Sequence, residues 1–271
     1  MTHDSLSSTP KSDARLHINC HDCSLSRICL PVSLLEAEIC ELEGIIKRNR
    51  PIHKHDYLIR AGEPVQYVYA LRSGAIKTYL LSADGVEQII GFHLPGELIG
   101  LDAIGSVNYP SYSVALETSA VCTIPLHQLE ELAGTMPGLR KQLLGIMSRE
   151  IHVEHERHSH SRDSAERRFA AFLLNLSARY SQRGLSASNF VLPMKRCDIG
   201  NFLGMTTETV SRLFTRFRDQ SLIGNQGREV LAMRGHAMLR RELAEGFLQV
   251  PRQRFLKGFG PADRTRGVGQ K

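Results

Sequence analysis

No stretch of the 271-residue sequence approaches the roughly 20 consecutive apolar residues of a membrane-spanning helix. The opening segment MTHDSLSSTPKSDARLH has no apolar core of the kind a secretory signal needs. Together these absences point to a reducing cytoplasm and away from a membrane, and structural disulfides are rare in that compartment. A glycine-rich nucleotide loop, an acid–base constellation and a second cysteine cluster are also missing. An enzyme or an iron–sulfur electron carrier is therefore a remote reading. No proline falls between Pro137 and Pro193, which leaves that span free for long helices.

Apolar residues make up 42% of the chain, enough for a real core, and charged residues an ordinary 23%. The charge is unevenly placed. Residues 1–135 carry 10 Lys and Arg against 16 Asp and Glu, whereas residues 136–271 carry 24 against 12. An acidic first half and a strongly basic second half suggest that the C-terminal part meets a polyanion.

Three of the six cysteines, Cys20, Cys23 and Cys29, fall within INCHDCSLSRIC. In a reducing compartment such a cluster reads as metal ligands or redox thiols rather than bridges. Iron–sulfur clusters take four thiolates, often three close together and one remote. The fourth would come from Cys40, Cys122 or Cys197. Cys40 lies on a predicted helix near its apolar positions. Cys197 opens a helical motif, and Cys122 lies in a late strand where it can face the arm. Structural zinc is an alternative, although the five-residue gap departs from its usual spacings. A metal-free thiol switch is another.

Residues 31–50 place Leu34, Leu35, Ile39, Leu42, Ile45 and Ile46 at helical spacing. From 52 to 125, short runs such as QYVYAL and AIKTYLL alternate apolar and polar between glycine turns, which predicts an antiparallel β domain. SADGVEQ is its clearest hairpin turn. After Pro125 the pattern becomes helical. Leu144, Met147 and Ile151 form a 3-then-4 seam that continues through the polar Glu154, His158 and Ser161, as expected of a switchable homodimer helix. Facing Glu154 carboxylates would repel. The histidines at 152, 155, 158 and 160 read as the solvated surface of that helix.

RCDIGNFLGMTTETVSRLFT (196–215) reads as a helix-turn-helix. Ile199, Phe202 and Leu203 give one apolar face and Val210, Leu213, Phe214 and Phe217 a second. Gly204 breaks the chain between them, and Thr206 or Thr207 caps the second helix. Its outer face shows Thr207, Glu208, Ser211, Arg212 and Arg216, residue types that suit the major groove of double-stranded DNA. SLIGNQGREVLAM (221–233) reads as a two-stranded wing, and the basic segment from 250 as a disordered tail that adds DNA affinity.

The order of parts resembles the cyclic-AMP receptor (Crp/Fnr) superfamily, and PGELIG (95–100) and DIGNFLGMTTETVSR (198–212) look like its signatures. The resemblance implies an α+β fold: an N-terminal antiparallel β-roll like a cyclic-nucleotide-binding jelly roll, a long dimerisation helix and a C-terminal winged helix-turn-helix. The expected divisions are an arm at 1–30, the β-roll at 31–135, the dimer helix at 136–162, the DNA-binding domain at 163–236 and a basic extension at 237–271. No arginine occurs in GLDAIGSVNYPSYSVAL (100–116), so no cyclic nucleotide is expected. The cysteines and the Glu-Thr-Val-Ser-Arg helix are similar instead to the fumarate and nitrate reduction regulator branch. That similarity implies a 4Fe–4S cluster on Cys20, Cys23, Cys29 and Cys122, oxygen sensing, TTGAT half-sites, and RNA polymerase contact through the turns holding Ser73, Gly74 and Gly85. Regulators sensing nitric oxide or a haem-bound gas remain the alternative. Ser24 and Ile28 flank the ligands and would set oxygen access. Replacing Ile28 by Ala is expected to speed cluster loss in air; an unchanged bleaching rate would count against that role.

Overall fold

The computed structural model describes residues 19–159, 162–225 and 230–233. Expectations for the first eighteen residues, His160, Ser161, the wing tip and the basic tail lie outside the described residues. The fold is α+β.

Leu30–Ser33 forms a 3₁₀ turn with Pro31 in its first positions, and helix α1 follows at Glu36–Ile45. The helix is shorter than the apolar spacing over 31–50 suggested. The proline turn delays its start, and after Ile46 the chain extends as β1 (Lys47–Arg48) to pair with β8 (Ala120–Pro125). The remaining strands are β2 (Tyr57–Ile59), β3 (Tyr67–Ser73), β4 (Ile76–Leu81), β5 (Glu87–His93), β6 (Leu98–Ile99) and β7 (Tyr112–Ala115). They form two antiparallel sheets, ordered β1-β8-β3-β6 and β2-β7-β4-β5. The Asp84–Gly85 turn joins β4 to β5, with Gly85 at φ +75°, where an L side chain would be strained.

Alternation along β3 sorts the cores. Val68 and Ala70 face a layer with Leu30, Leu42, Ile124, Leu129 and Leu139, beneath α1 and α2 (Leu126–Thr135). Leu71 faces inward with Ile59, Ile76, Ile99 and Val121, between the sheets. A period of two places successive side chains on opposite faces. Here both faces are covered.

Two longer helices follow, α3 (Pro137–Ser159) and α4 (Ala165–Gln182), the latter capped by the Ser164 hydroxyl accepting from Arg167 N. Then come β9 (Asn189–Val191), α5 (Arg196–Leu203), α6 (Thr207–Asp219), β10 (Ile223–Asn225) and β11 (Val230–Met233). The last two strands make the wing, and β9 joins it as a third strand paired to β11.

The C-terminal unit shares one core with the outer face of the second sheet. Phe92 meets Phe172 and Phe202 at centroid distances of 6.2 and 5.2 Å. Polar contacts reinforce this face. The Asn201 carboxamide accepts from Ile89 N at 2.7 Å and donates to Glu87 O at 2.7 Å, so one side chain acts as an added strand edge on β5. Lys77 bridges Glu87 and Asp198. Glu97 receives Arg179 and Arg183 from α4 and its C-terminal end. Burial alone would raise the Glu97 carboxyl, but the two guanidiniums hold it down at about 2. Burial pushes the His93 imidazole down to about 4, and its Nε2 lies 2.9 Å from Thr78 Oγ1.

Two outcomes follow. Phe169 is fully buried and edge-on to Phe214 and Phe217, so Phe169→Ala should cost about 3–5 kcal/mol, read by denaturant unfolding. Both shifted groups are depressed, so both lend stability that fades on acidification. The His93 contribution should be lost as pH falls from about 6.5 to 4, and the Glu97 contribution from about 4.5 to 2. Unfolding followed across pH should show His93→Gln lacking the first of these losses.

Candidate metal centre and nucleic-acid interface

Residues 19–29 wind through successive turns. Ser26 N donates to Cys23 O at 3.0 Å and Cys29 N to Leu25 O at 2.9 Å. The following residue, Leu30, is 1% exposed and anchors this arm in the layer beneath α1. Cys122 lies mid-way along β8, opposite Arg48 on one side and Ala70 on the other. Cys20, Cys23, Cys29 and Cys122 line one cavity, walled by Leu25, Leu30, Leu42, Ile46, Leu71 and Ile124. Ser26 and Arg72 are its other polar neighbours. Cys40 and Cys197 are exposed, and all six thiols are free.

The cavity disfavours bare thiolates. Burial pushes the Cys20 thiol up to about 11 and the Cys29 thiol to about 12, and neighbouring cysteines add to both shifts. Burial also raises Cys122, against the pull of Arg72 and Arg48. Thiolate is the ligating form, so a cationic metal core would supply the stabilisation that the walls do not. Four cysteine sulfurs on one cavity are the donor set an iron–sulfur group takes. Among the described residues no three His, Cys, Asp or Glu side chains close on a point suited to one metal ion.

Ser24 is exposed and does not line the cavity. Ile28 does not line it either; its side chain lies over Gly96. The turns carry Ser24 to solvent and Ile28 onto Gly96, and Leu25 and Ser26 line the cavity beside the cysteines.

The DNA-reading unit is built on two close approaches. Gly204 ends α5 in the left-handed region at φ +64°. A Cβ on Gly200 would sit 2.7 Å from the Met205 carbonyl, so only glycine admits this crossing of α5 and α6. The Thr206 hydroxyl caps α6 by accepting from Thr209 N at 3.1 Å. Val210, Leu213, Phe214 and Phe217 are buried, so Thr207, Glu208 and Arg212 stand exposed on the opposite side and Ser211 half-buried. Arg212 pairs with Glu208 at 2.6 Å along the helix. Arg216, expected to read DNA, is exposed and pairs with Glu166 in the first turn of α4. Arg196 had no role in the sequence reading. Its guanidinium donates to the Ser211 hydroxyl at 3.3 Å and lies over the Phe214 ring.

Residues 49–135 match the cyclic nucleotide-binding domain and residues 167–242 the Crp-like helix-turn-helix domain. The anaerobic regulatory protein of Haemophilus influenzae is 50% identical over 214 residues, 79% of this chain and 83% of the relative. The fumarate and nitrate reduction regulatory protein of Escherichia coli K12 is 48% identical over 214 residues, 79% of this chain and 86% of the relative. The chain belongs to the fumarate and nitrate reduction regulator branch of the Crp/Fnr family. It is a DNA-binding transcription regulator and not an enzyme. The structure of FixK2 from Bradyrhizobium japonicum superposes with a TM-score of 0.66 at 29% identity, covering 73% of this chain and 96% of that one.

Crp/Fnr regulators typically dimerise. On α3, Leu144 and Ile151 are 61% and 56% exposed, Met147 is half-buried, and Glu154 and His158 are exposed. Glu154 pairs with Arg157 and His152 with Glu156, so this stretch is a charged, solvated surface. Of the turns expected to meet polymerase, Ser73 and Gly85 are exposed, and Gly74, at φ +86°, is crowded by Ser119. Among the described residues no helix is long and apolar enough to cross a membrane.

Gly200→Ala should force α6 off α5 and cost about 1–3 kcal/mol. A family-type operator duplex is expected to bind at least tenfold more weakly to this variant, with β-roll exchange protection unchanged.

Proposed function

We propose that the chain is an oxygen-responsive transcription regulator that carries a 4Fe–4S cluster on Cys20, Cys23, Cys29 and Cys122. The observation that carries this reading is the convergence of those four thiols, out of six, on one largely apolar cavity between the arm and β8. A shared cavity suits a polynuclear group, each iron taking one thiolate. A single zinc needs all four sulfurs at about 2.3 Å from one point. When bound, such a cluster supplies an oxygen-labile prosthetic group.

The chain's own residues do the rest. Cys122 ties the arm to the β-roll, and Leu30 packs it onto the layer that also receives Leu139 at the start of α3. That layer sets the base of the helix presenting Leu144, Met147 and Ile151 to a second copy. Opposed Glu154 carboxylates work against the pairing, which keeps the homodimer marginal and its occupancy switchable by a few kcal/mol. Two α6 helices one DNA turn apart would then read a palindrome of TTGAT half-sites with Glu208, Ser211 and Arg212. Bound dimers activate or repress genes of anaerobic metabolism, through RNA polymerase contacts at the Ser73–Gly74 and Gly85 turns where they activate. Cyclic nucleotide is not the expected signal, because the stretch 100–116 has no arginine. The chain is expected to act in the cytoplasm.

Protein purified without oxygen should contain about four irons and four acid-labile sulfides per chain, with a brown absorbance that bleaches in air. Cys122→Ser should lose most of the iron. Colourless protein, or zinc in place of iron, would overturn the sensor reading and leave the DNA-binding unit standing. Arg212→Ala should weaken binding to a TTGAT palindrome by about 10–100-fold and relax selectivity at one base pair, measured by titration at fixed salt.

A further inference from the structure

We propose that the Pro95–Gly96–Glu97 turn couples the cysteine-bearing arm to the DNA-binding unit within one subunit, so that seating of the arm and docking of α4 form one linked equilibrium. Three consecutive residues of this turn meet both partners. Ile28 of the arm lies directly over Gly96. A Cβ built there would meet Ile28 Cδ1 at 2.6 Å and Cγ1 at 2.8 Å, and Gly96 has φ +91°. A glycine is thus required both by the backbone and by the arm.

The neighbouring residues hold the other partner. Arg183 Nε donates to Pro95 O at 2.6 Å and its Nη2 to Glu97 Oε1 at 2.5 Å. Arg179 adds Nε to Glu97 Oε1 at 2.9 Å and Nη2 to Glu97 Oε2 at 2.5 Å. A fork on one carboxylate fixes orientation as well as distance, so the end of α4 is held at one angle to the turn.

The turn is also stitched to the cavity wall. Gly96 N donates to Leu71 O at 2.7 Å and Leu71 N to Glu97 O at 3.0 Å, and Leu71 lines the cavity with the four cysteines. An arm that leaves Gly96 therefore releases a backbone whose next residue positions Arg179 and Arg183. Packed contacts of this kind shift between discrete arrangements rather than deform smoothly. Glu97, Arg179 and Arg183 act here as positioning residues, by a route separate from the dimer seam. The inference needs the arm seated on Gly96 and not any particular metal, so it can fail or succeed independently of the cluster reading.

Hydrogen–deuterium exchange on the full chain, purified without oxygen, reads both ends. Ile28→Ala is expected to raise exchange at residues 176–183 by about fivefold or more. Glu97→Gln is expected to raise exchange at residues 19–30 by a similar factor. By linkage the two effects must be reciprocal. Should Glu97→Gln not fold, Arg183→Lys keeps the charge, loses the fork and is read the same way. A change confined to the mutated end in either variant overturns the coupling. So does a rise spread evenly through β3, β4 and β8, which would be general destabilisation.

Discussion

The arm that carries Cys20, Cys23 and Cys29 forms only turns, so its place on the β-roll rests on side chains. Leu30 is its anchor, sunk with Leu42, Ile124 and Leu139 into the layer beneath α1. Burying one leucine is worth roughly 1.5–3 kcal/mol, and ordering each backbone residue costs about 1–2 kcal/mol. Eleven residues of turn cannot be held by that anchor alone. A ligand bonded to the arm and to Cys122 would add the missing cross-link.

The DNA-binding unit is held by a different balance. Its aromatic core, with Phe169, Phe172, Phe214 and Phe217, runs on into Phe92 and Tyr79 of the β-roll. Polar side chains are set around that shared core, and each is paired: Asn201 on the β5 edge, Lys77 between two carboxylates, Glu97 between two guanidiniums. Breaking a buried pair from one side costs about 3–5 kcal/mol, because it strands a charge. The apolar surface supplies the adhesion, and the charge pairs supply the angle.

Much of this was legible in residues that act through local physics. Gly204 and Thr206 announced a turn and a cap, and both do what their chemistry demands. The alternation through QYVYAL and AIKTYLL announced strands, and the proline-free span after Pro137 announced the long helices. Arg216 shows the limit of that reading, because its outward helical position says nothing of Glu166, fifty residues earlier, which it meets. Ser24 is a related case. Adjacency to a cysteine in sequence does not set direction in a run of turns, and the chain there turns it to solvent.

Local pattern by itself determined an antiparallel β domain, the long helices, the helix-turn-helix with its wing and the cysteine spacing, because periodicity, caps and breakers act over a few residues. The family resemblance had already pointed to Cys122 as the partner of the arm cysteines. Only the tertiary structure puts it on their cavity and leaves Cys40 and Cys197 exposed. Tertiary structure alone also brought Ile28, Gly96 and Arg183 together across 155 residues of chain. Contacts of that separation depend on how layers stack, and stacking leaves no short-range trace in the order of residues.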